Sequence, residues 1–161
     1  MNGHNNPGAT RREVLKAAAT MAAAGSVAIL TISPSQATPA EMKAALRQVI
    51  GEAKIKRGKV KLDVPPLVEN GNTVALSVAV ESPMTPSDHV KAIHIFNEKN
   101  PQPNIISIRL GPRAGRASVA TRIRLADTQQ IVAIAEMSDG SFWSDTADVI
   151  VTIAACLEDL Q

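Results

Sequence analysis

Ala117-Ser118-Val119-Ala120-Thr121-Arg122-Ile123-Arg124-Leu125 is the stretch whose reading decides the fold. Ala117, Val119, Thr121, Ile123 and Leu125 fall on one parity; Ser118, Ala120, Arg122 and Arg124 fall on the other. A period of two sends the sets to opposite faces of a pleated strand. One face is thus fit for a core and the other for water. Parallel strands covered by helices on both sides read instead as continuous apolar runs.

The same pattern recurs outward from this stretch. Val60, Leu62 and Val64 alternate with Lys59, Lys61 and Asp63 until Pro65-Pro66 stops the run. Asn70-Gly71-Asn72 signals a turn before Thr73–Val80, where Val74, Leu76, Val78 and Val80 share a face. Val90–Phe96 and Ile105–Leu110 read as strands around Asn97-Glu98-Lys99-Asn100-Pro101-Gln102-Pro103. Gln130–Met137, the turn Ser138-Asp139-Gly140 and Ala147–Ala155 complete the set. About seven short strands with no helical pattern between them predict an all-β, antiparallel sandwich. Ile131–Met137 is apolar on both parities except at Glu136, which predicts a central strand or one covered by a partner. With Phe142 and Trp143 close by, Met137 makes this strand the candidate partner surface.

A helix is expected ahead of the strands, over Pro39–Ala53. Thr38 suits the N-cap, Pro39 the first helical position, and Glu41 the capping-box position three residues after Thr38. Met42, Leu46, Val49 and Ile50 form one apolar stripe, and Gly51 weakens the end.

Residues 1–37 read as an export signal. Arg11-Arg12 lies in a twin-arginine pattern, a weakly apolar stretch runs from Ala17 to Ile32, and Ser35 and Ala37 suit cleavage after Ala37. The stretch is shorter than the roughly 20 apolar residues of a spanning helix, so no stable membrane insertion is expected after cleavage. The expected location is the periplasm, by the twin-arginine route. The expected organisation is signal 1–37, helix and linker 38–58, sandwich 59–153 and a cysteine-bearing tail 154–161.

Cleavage changes the charge reading. The full chain has 17 basic and 15 acidic residues. Losing Arg11, Arg12, Lys16 and Glu13 leaves 14 of each (17 − 3 and 15 − 1), so the exported domain is neutral. With only Phe96, Phe142 and Trp143 as aromatics, base-stacking platforms are lacking and nucleic acid is not an expected partner.

Cys156 is the only cysteine, so it forms no internal disulfide. It can be a buried small side chain, pair with another molecule, or carry a chemical group. Other chemistry is sparse. There is no P-loop and no Gly-x-Gly-x-x-Gly. Gly111-Pro112-Arg113-Ala114-Gly115-Arg116 lies between strands and reads as a hairpin connection. His89 and His94 fall on opposite faces of an ordinary strand, so no metal ligand set is expected. A blue-copper site needs a His soon after the Cys, and Leu157-Glu158-Asp159-Leu160-Gln161 supplies none. No nucleophile elbow supports a hydrolytic triad. Arg109, Arg113, Arg116, Arg122 and Arg124 form a row that could guide anions, although a solvated sheet face is the commoner use.

Several separated segments carry a resemblance. Val68-Glu69-Asn70-Gly71-Asn72-Thr73-Val74, Glu81-Ser82-Pro83-Met84-Thr85, Ile93-His94-Ile95-Phe96 and Asn100-Pro101 resemble the SoxY sulfur-carrier family. So do Thr121-Arg122-Ile123-Arg124-Leu125-Ala126, Ala133-Ile134-Ala135-Glu136-Met137-Ser138-Asp139-Gly140 and Trp143, in the same order. The resemblance implies an immunoglobulin-like sandwich paired with a SoxZ subunit as a heterodimer, and transient docking to periplasmic Sox enzymes. It also implies that the protein is a carrier and not a catalyst. Sulfur intermediates of thiosulfate oxidation would be held covalently on a C-terminal cysteine, with no other cofactor. Cys156 matches that carrier position.

The flanks depart from the family's Gly-Gly-Cys-Gly-Gly arm: Ala154 and Ala155 precede Cys156, and Leu157 follows. Alanine keeps the small cross-section but loses glycine's conformational freedom. Glu158, Asp159 and the terminal carboxylate disfavour a thiolate and repel anionic cargo. The other reading is therefore a SoxY-like binding module in which Cys156 is inert or forms an interchain disulfide.

Overall fold

The computed structural model describes residues 37–153. Helix α1 spans Pro39–Ile50, and nine strands follow among the described residues. These are β1 (Ile55–Arg57), β2 (Val60–Asp63), β3 (Leu67–Asn70), β4 (Val74–Val80), β5 (Val90–Asn97), β6 (Asn104–Arg109), β7 (Ala117–Ile123), β8 (Gln129–Met137) and β9 (Phe142–Ile153). One sheet has the order β1-β9-β8-β5-β6, with β3 also paired to β9; the other has the order β2-β4-β7. The order β2-β4-β7 facing β9-β8-β5-β6 corresponds to the A-B-E and G-F-C-C′ strands of immunoglobulin-type sandwiches.

Alternation works as the sequence predicts. Val74, Leu76, Val78 and Val80 of β4 are buried, and they meet Ile93, Ile95, Ile131, Ala133 and Ala135 of the larger sheet in the main core. Each aliphatic side chain removed from water in this way contributes about 1.5–3 kcal/mol.

The expected helix forms, with a capping box at its start. The Thr38 amide donates to Glu41 Oε2 at 2.7 Å, and the Glu41 amide donates to Thr38 Oγ1 at 3.3 Å. The helix ends at Ile50, earlier than the expected Ala53, because Gly51 turns the chain with φ 61°. Met42 packs with Phe96, Val132, Ile134 and Phe142 in a second core, flanked by Ala45, Leu46, Val49 and Ile50. The apolar parity of β8 that faces away from the other sheet is thus covered by α1. The strand is covered on both faces from within its own chain.

Three expectations need correction. The sandwich is not purely antiparallel: β1 and β3 both pair with β9 in parallel, Ile55 opposite Phe142 and Leu67 opposite Ile150. The chain runs beside β9 as β1, crosses to the other sheet as β2, and returns beside β9 as β3. β9 also starts at Phe142 and not at Ala147, since β8 pairs with it from Phe142 onward and β1 gives Phe142–Ser144 a second partner. Finally, the Gly111–Arg116 segment is no hairpin. It holds a 3-10 turn, Pro112–Ala114, and carries the chain from β6 in one sheet to β7 in the other.

Candidate functional site: the base of the C-terminal arm

Strand β9 decides where the C-terminal residues leave the sandwich. Its last turns of pleat are held from both sides. Val151 donates its amide to Thr128 Oγ1 at 3.0 Å, and Thr152 Oγ1 donates to the Glu69 carbonyl at 3.1 Å. The Gly71 amide donates to the Ile153 carbonyl at 2.8 Å, and the Gly71 carbonyl accepts from Leu125 at 2.8 Å. The chain is therefore anchored up to Ile153, three positions before Cys156. Cys156 and its flanks Ala154, Ala155 and Leu157 lie outside the described residues, as do Arg11 and Arg12.

The same end of the sandwich is stitched by the amides of buried Asn97 and Gln129 and half-buried Asn100. Asn97, fully buried, accepts from the Asn100 amide at 2.9 Å and donates to the Gln102 carbonyl at 3.2 Å. Asn100 Oδ1 accepts from Ala126 and from Gln129 Nε2, both at 3.0 Å, and Asn100 Nδ2 donates to the Arg124 carbonyl at 2.8 Å. These bonds tie the 97–103 loop to the 124–129 loop and satisfy polar groups that burial would otherwise penalise. The sequence marks Asn100-Pro101 as part of a break between two strands and of a resemblance, not as a hydrogen-bonding hub. Buried asparagine hubs have no periodic signature.

Charge at this end is mixed. Lys99 pairs with Asp127 at 2.8 Å. The Lys99 hydrogen bond, followed by that of the Thr128 amide, holds the Asp127 carboxyl below its ordinary range. The arginine row is divided by the fold. Arg122 and Arg124 lie exposed at the Ile123 end of β7, close to where β9 ends. Arg113 and Arg116 precede the Ala117 end, and Arg109 closes β6 at that same far end. The five arginines do not form one row.

Two of the three residues of the expected partner surface are internal. Met137 is buried in the main core, and Phe142 is buried with Phe96 against α1. Trp143 is half-buried. Its Nε1 donates to Ser141 Oγ at 3.2 Å, and Lys56 Nζ and Lys59 Nζ lie 5.4 and 5.2 Å from the ring centroid. Hydrophobicity on both parities of β8 is accounted for by α1 on one face and the second sheet on the other. The large apolar side chains exposed among the described residues are instead Ile55, Leu67, Ile150 and Ile153, all on or beside β9.

The histidines remain apart. His89 precedes β5, and its Nδ1 lies 3.1 Å from the Thr85 carbonyl. His94 Nδ1 lies 2.8 Å from Ser107 Oγ, while Nε2 is buried without a partner among the described residues. Burial lowers the His94 pKa below 6.5; Glu136 opposes this and Arg109 reinforces it. No group of three His, Cys, Asp or Glu side chains converges among the described residues. Nor is any helix among them long and apolar enough to cross a membrane.

The fold and the geometry agree with known structures. The sulfur carrier protein SoxY from Chlorobium limicola f thiosulfatophilum superposes with a TM-score of 0.59 at 26% identity, over 71% of this chain and 98% of that one. The superoxide reductase (neelaredoxin) from Ignicoccus hospitalis gives 0.52 at 15% identity, over 71% and 94% of the two chains. A putative superoxide reductase from Thermotoga maritima gives 0.51 at 20% identity, over 60% and 93%. Those two likenesses are of fold alone. A comparison with curated proteins returns no match. The family of sulfur oxidation protein SoxY matches residues 46–156, a span that ends on the lone cysteine itself. The chain belongs to the SoxY family.

Proposed function

We propose that the chain is a covalent sulfur carrier of the thiosulfate-oxidation type, with Cys156 as the attachment point. The observation that carries this reading is the end of the family match at Cys156, three residues beyond a strand anchored at Ile153. A carrier needs a rigid body that partners can grip and a thiol beyond its edge. The clamped β9 and the position of Cys156 suit that need. The protein itself catalyses nothing in this reading. A partner enzyme removes two electrons as the Cys156 thiolate joins the sulfane sulfur of thiosulfate, leaving a cysteine-bound thiosulfonate. Hydrolysis by another enzyme then breaks the bond between the sulfane and sulfonate sulfurs, releasing sulfate and leaving a persulfide on Cys156.

Export by the twin-arginine signal around Arg11-Arg12 places this chemistry in the periplasm, with a SoxZ-like sandwich as heterodimer partner. With Met137 and Phe142 internal, the exposed apolar residues beside β9 are the better place to look for that contact. The other reading, a binding module with an inert or disulfide-paired Cys156, draws on the tail chemistry. Alanines replace flexible flanks, and two acidic side chains follow the thiol.

Intact mass spectrometry of protein purified from its own host separates the two. An adduct on Cys156 of one or more sulfur atoms, or of a thiosulfonate, supports the carrier. A thiol that is free in every preparation and resists alkylation in the native state overturns it.

A further inference from the structure

The chain leaves β9 close to an open cleft of about 750 Å³ that no element described above fills. The cleft exists because β2 abandons its neighbour β4. Pairing stops at Asp63 opposite Ser77, after which Val64-Pro65-Pro66 carries the chain across to β9. Ala75 and Leu76 of β4 are left without a strand on that side, and prolines form the opposite wall. Arg122, opposite Ala75 on β7, forms the cationic rim; Asp63 lies on the other side of β4. Neither Arg122 nor the neighbouring Arg124 makes a salt bridge among the described residues.

We propose that the C-terminal segment of the same chain, Leu157-Glu158-Asp159-Leu160-Gln161, docks in this cleft. Three observations commit the site to that occupant. The first is the exit point. Gly71 lies between the Ile153 carbonyl and the Leu125 amide, so the end of β9 sits two backbone spacings, about 10 Å, from the end of β7. Arg122 lies three residues back along that strand, about 10 Å at strand rise. The second is reach. The five residues from Ile153 to Glu158 span at most about 17 Å when extended, enough for the roughly 14 Å diagonal of those two legs. The third is chemistry. Leu157 matches the proline-walled, apolar side of the cleft, and Glu158 and Asp159 match Arg122 and Arg124. Asp63 repels carboxylates from the β2 side and favours their placement toward β7.

The docking stands on the cleft and the tail, whatever group Cys156 carries. Its failure and the failure of the carrier reading are therefore separable.

The lone thiol supplies the test. A nitroxide on Cys156 of the full chain broadens nearby amide signals in NMR spectra. Broadening of Ala75, Ser77 and Ala120 at low ionic strength is expected. It should weaken about two- to fivefold in Arg122→Glu, the range that one exposed charge pair provides. The same loss is expected near 1 M salt, where the Debye length is about 3 Å. In the unlabelled chain, the double substitution Glu158→Gln, Asp159→Asn should shift the same amides. Broadening centred on Leu67 and Ile150, or none beyond the neighbours of Ile153, overturns the proposal. So does broadening of the cleft amides by a separate spin-labelled copy, which makes the occupant a second molecule.

Discussion

The backbone amide of Leu62 donates to Oδ2 of Asp145 at 2.8 Å, across a separation of 83 residues. Leu62 belongs to β2 in the smaller sheet and Asp145 to β9 in the larger. Asp145 is half-buried on the face of β9 that looks toward the other sheet, opposite Ala133 of β8. The bond caps an edge strand whose outward amide has no strand partner, and it pins the segment that crosses between sheets. Asp145→Ala should cost about 1–3 kcal/mol, the penalty for orphaning a part-buried donor. Asp145→Asn, which keeps an acceptor, should cost less. Urea unfolding midpoints check both, with the slope unchanged if the fold is retained.

The capping box at Thr38 and Glu41 governs how firmly α1 covers the outer face of β8. Thr38→Ala should lower stability by about 1 kcal/mol. Because Met42 lies one turn further on, hydrogen exchange should rise first in α1 and only later in β8. Equal acceleration in both elements would show that the cap does not set the local stability of this layer.

His94 links stability to pH. Burial holds its folded-state pKa below the unfolded value of 6.5. Between the two values the unfolded chain binds more protons, so stability falls as pH drops below about 6.5 and levels off beneath the folded pKa. Above about 6.5 the residue contributes no slope. Urea midpoints from about pH 8 to pH 5 should show this decline in the native chain and a flatter profile in His94→Gln.

Cys156→Ser should leave the circular dichroism and unfolding midpoint of the sandwich unchanged while removing every sulfur adduct detected by mass. Adducts that survive the substitution would relocate the carrier chemistry.

Trp143 reports on the β1–β9 edge, since Lys56 and Lys59 flank its ring. Lys59→Ala should cost about 0.5–1 kcal/mol and shift the fluorescence maximum. If a sandwich partner docks along this edge, adding it should change Trp143 emission. An unchanged spectrum at saturation would place the contact elsewhere.

Local pattern makes most of the sandwich legible in the sequence. Seven of the nine strands carry period-two alternation or a continuous apolar run, and those signals are written in neighbouring residues. Thr38-Pro39 and Glu41 likewise declare the helix start through contacts only three positions apart. The lone Cys156, the acidic tail and the family resemblance were equally open to the sequence. What it left undecided is non-local. Ile55–Arg57 and Leu67–Asn70 are strands because β9 lies beside them in parallel, and their own exposed residues announce nothing. Burial of Met137 depended on the second sheet packing over β8 and burial of Phe142 on α1 folding over its other face, long-range choices that periodicity cannot express. The division of the arginines between two ends of the sandwich followed from strand direction. So did the cleft left where β2 changes sheets, beside the point where the chain leaves for Cys156. Alternation specifies which face of a strand meets the core; only tertiary pairing specifies which strand, and therefore what surrounds the point where the chain leaves β9.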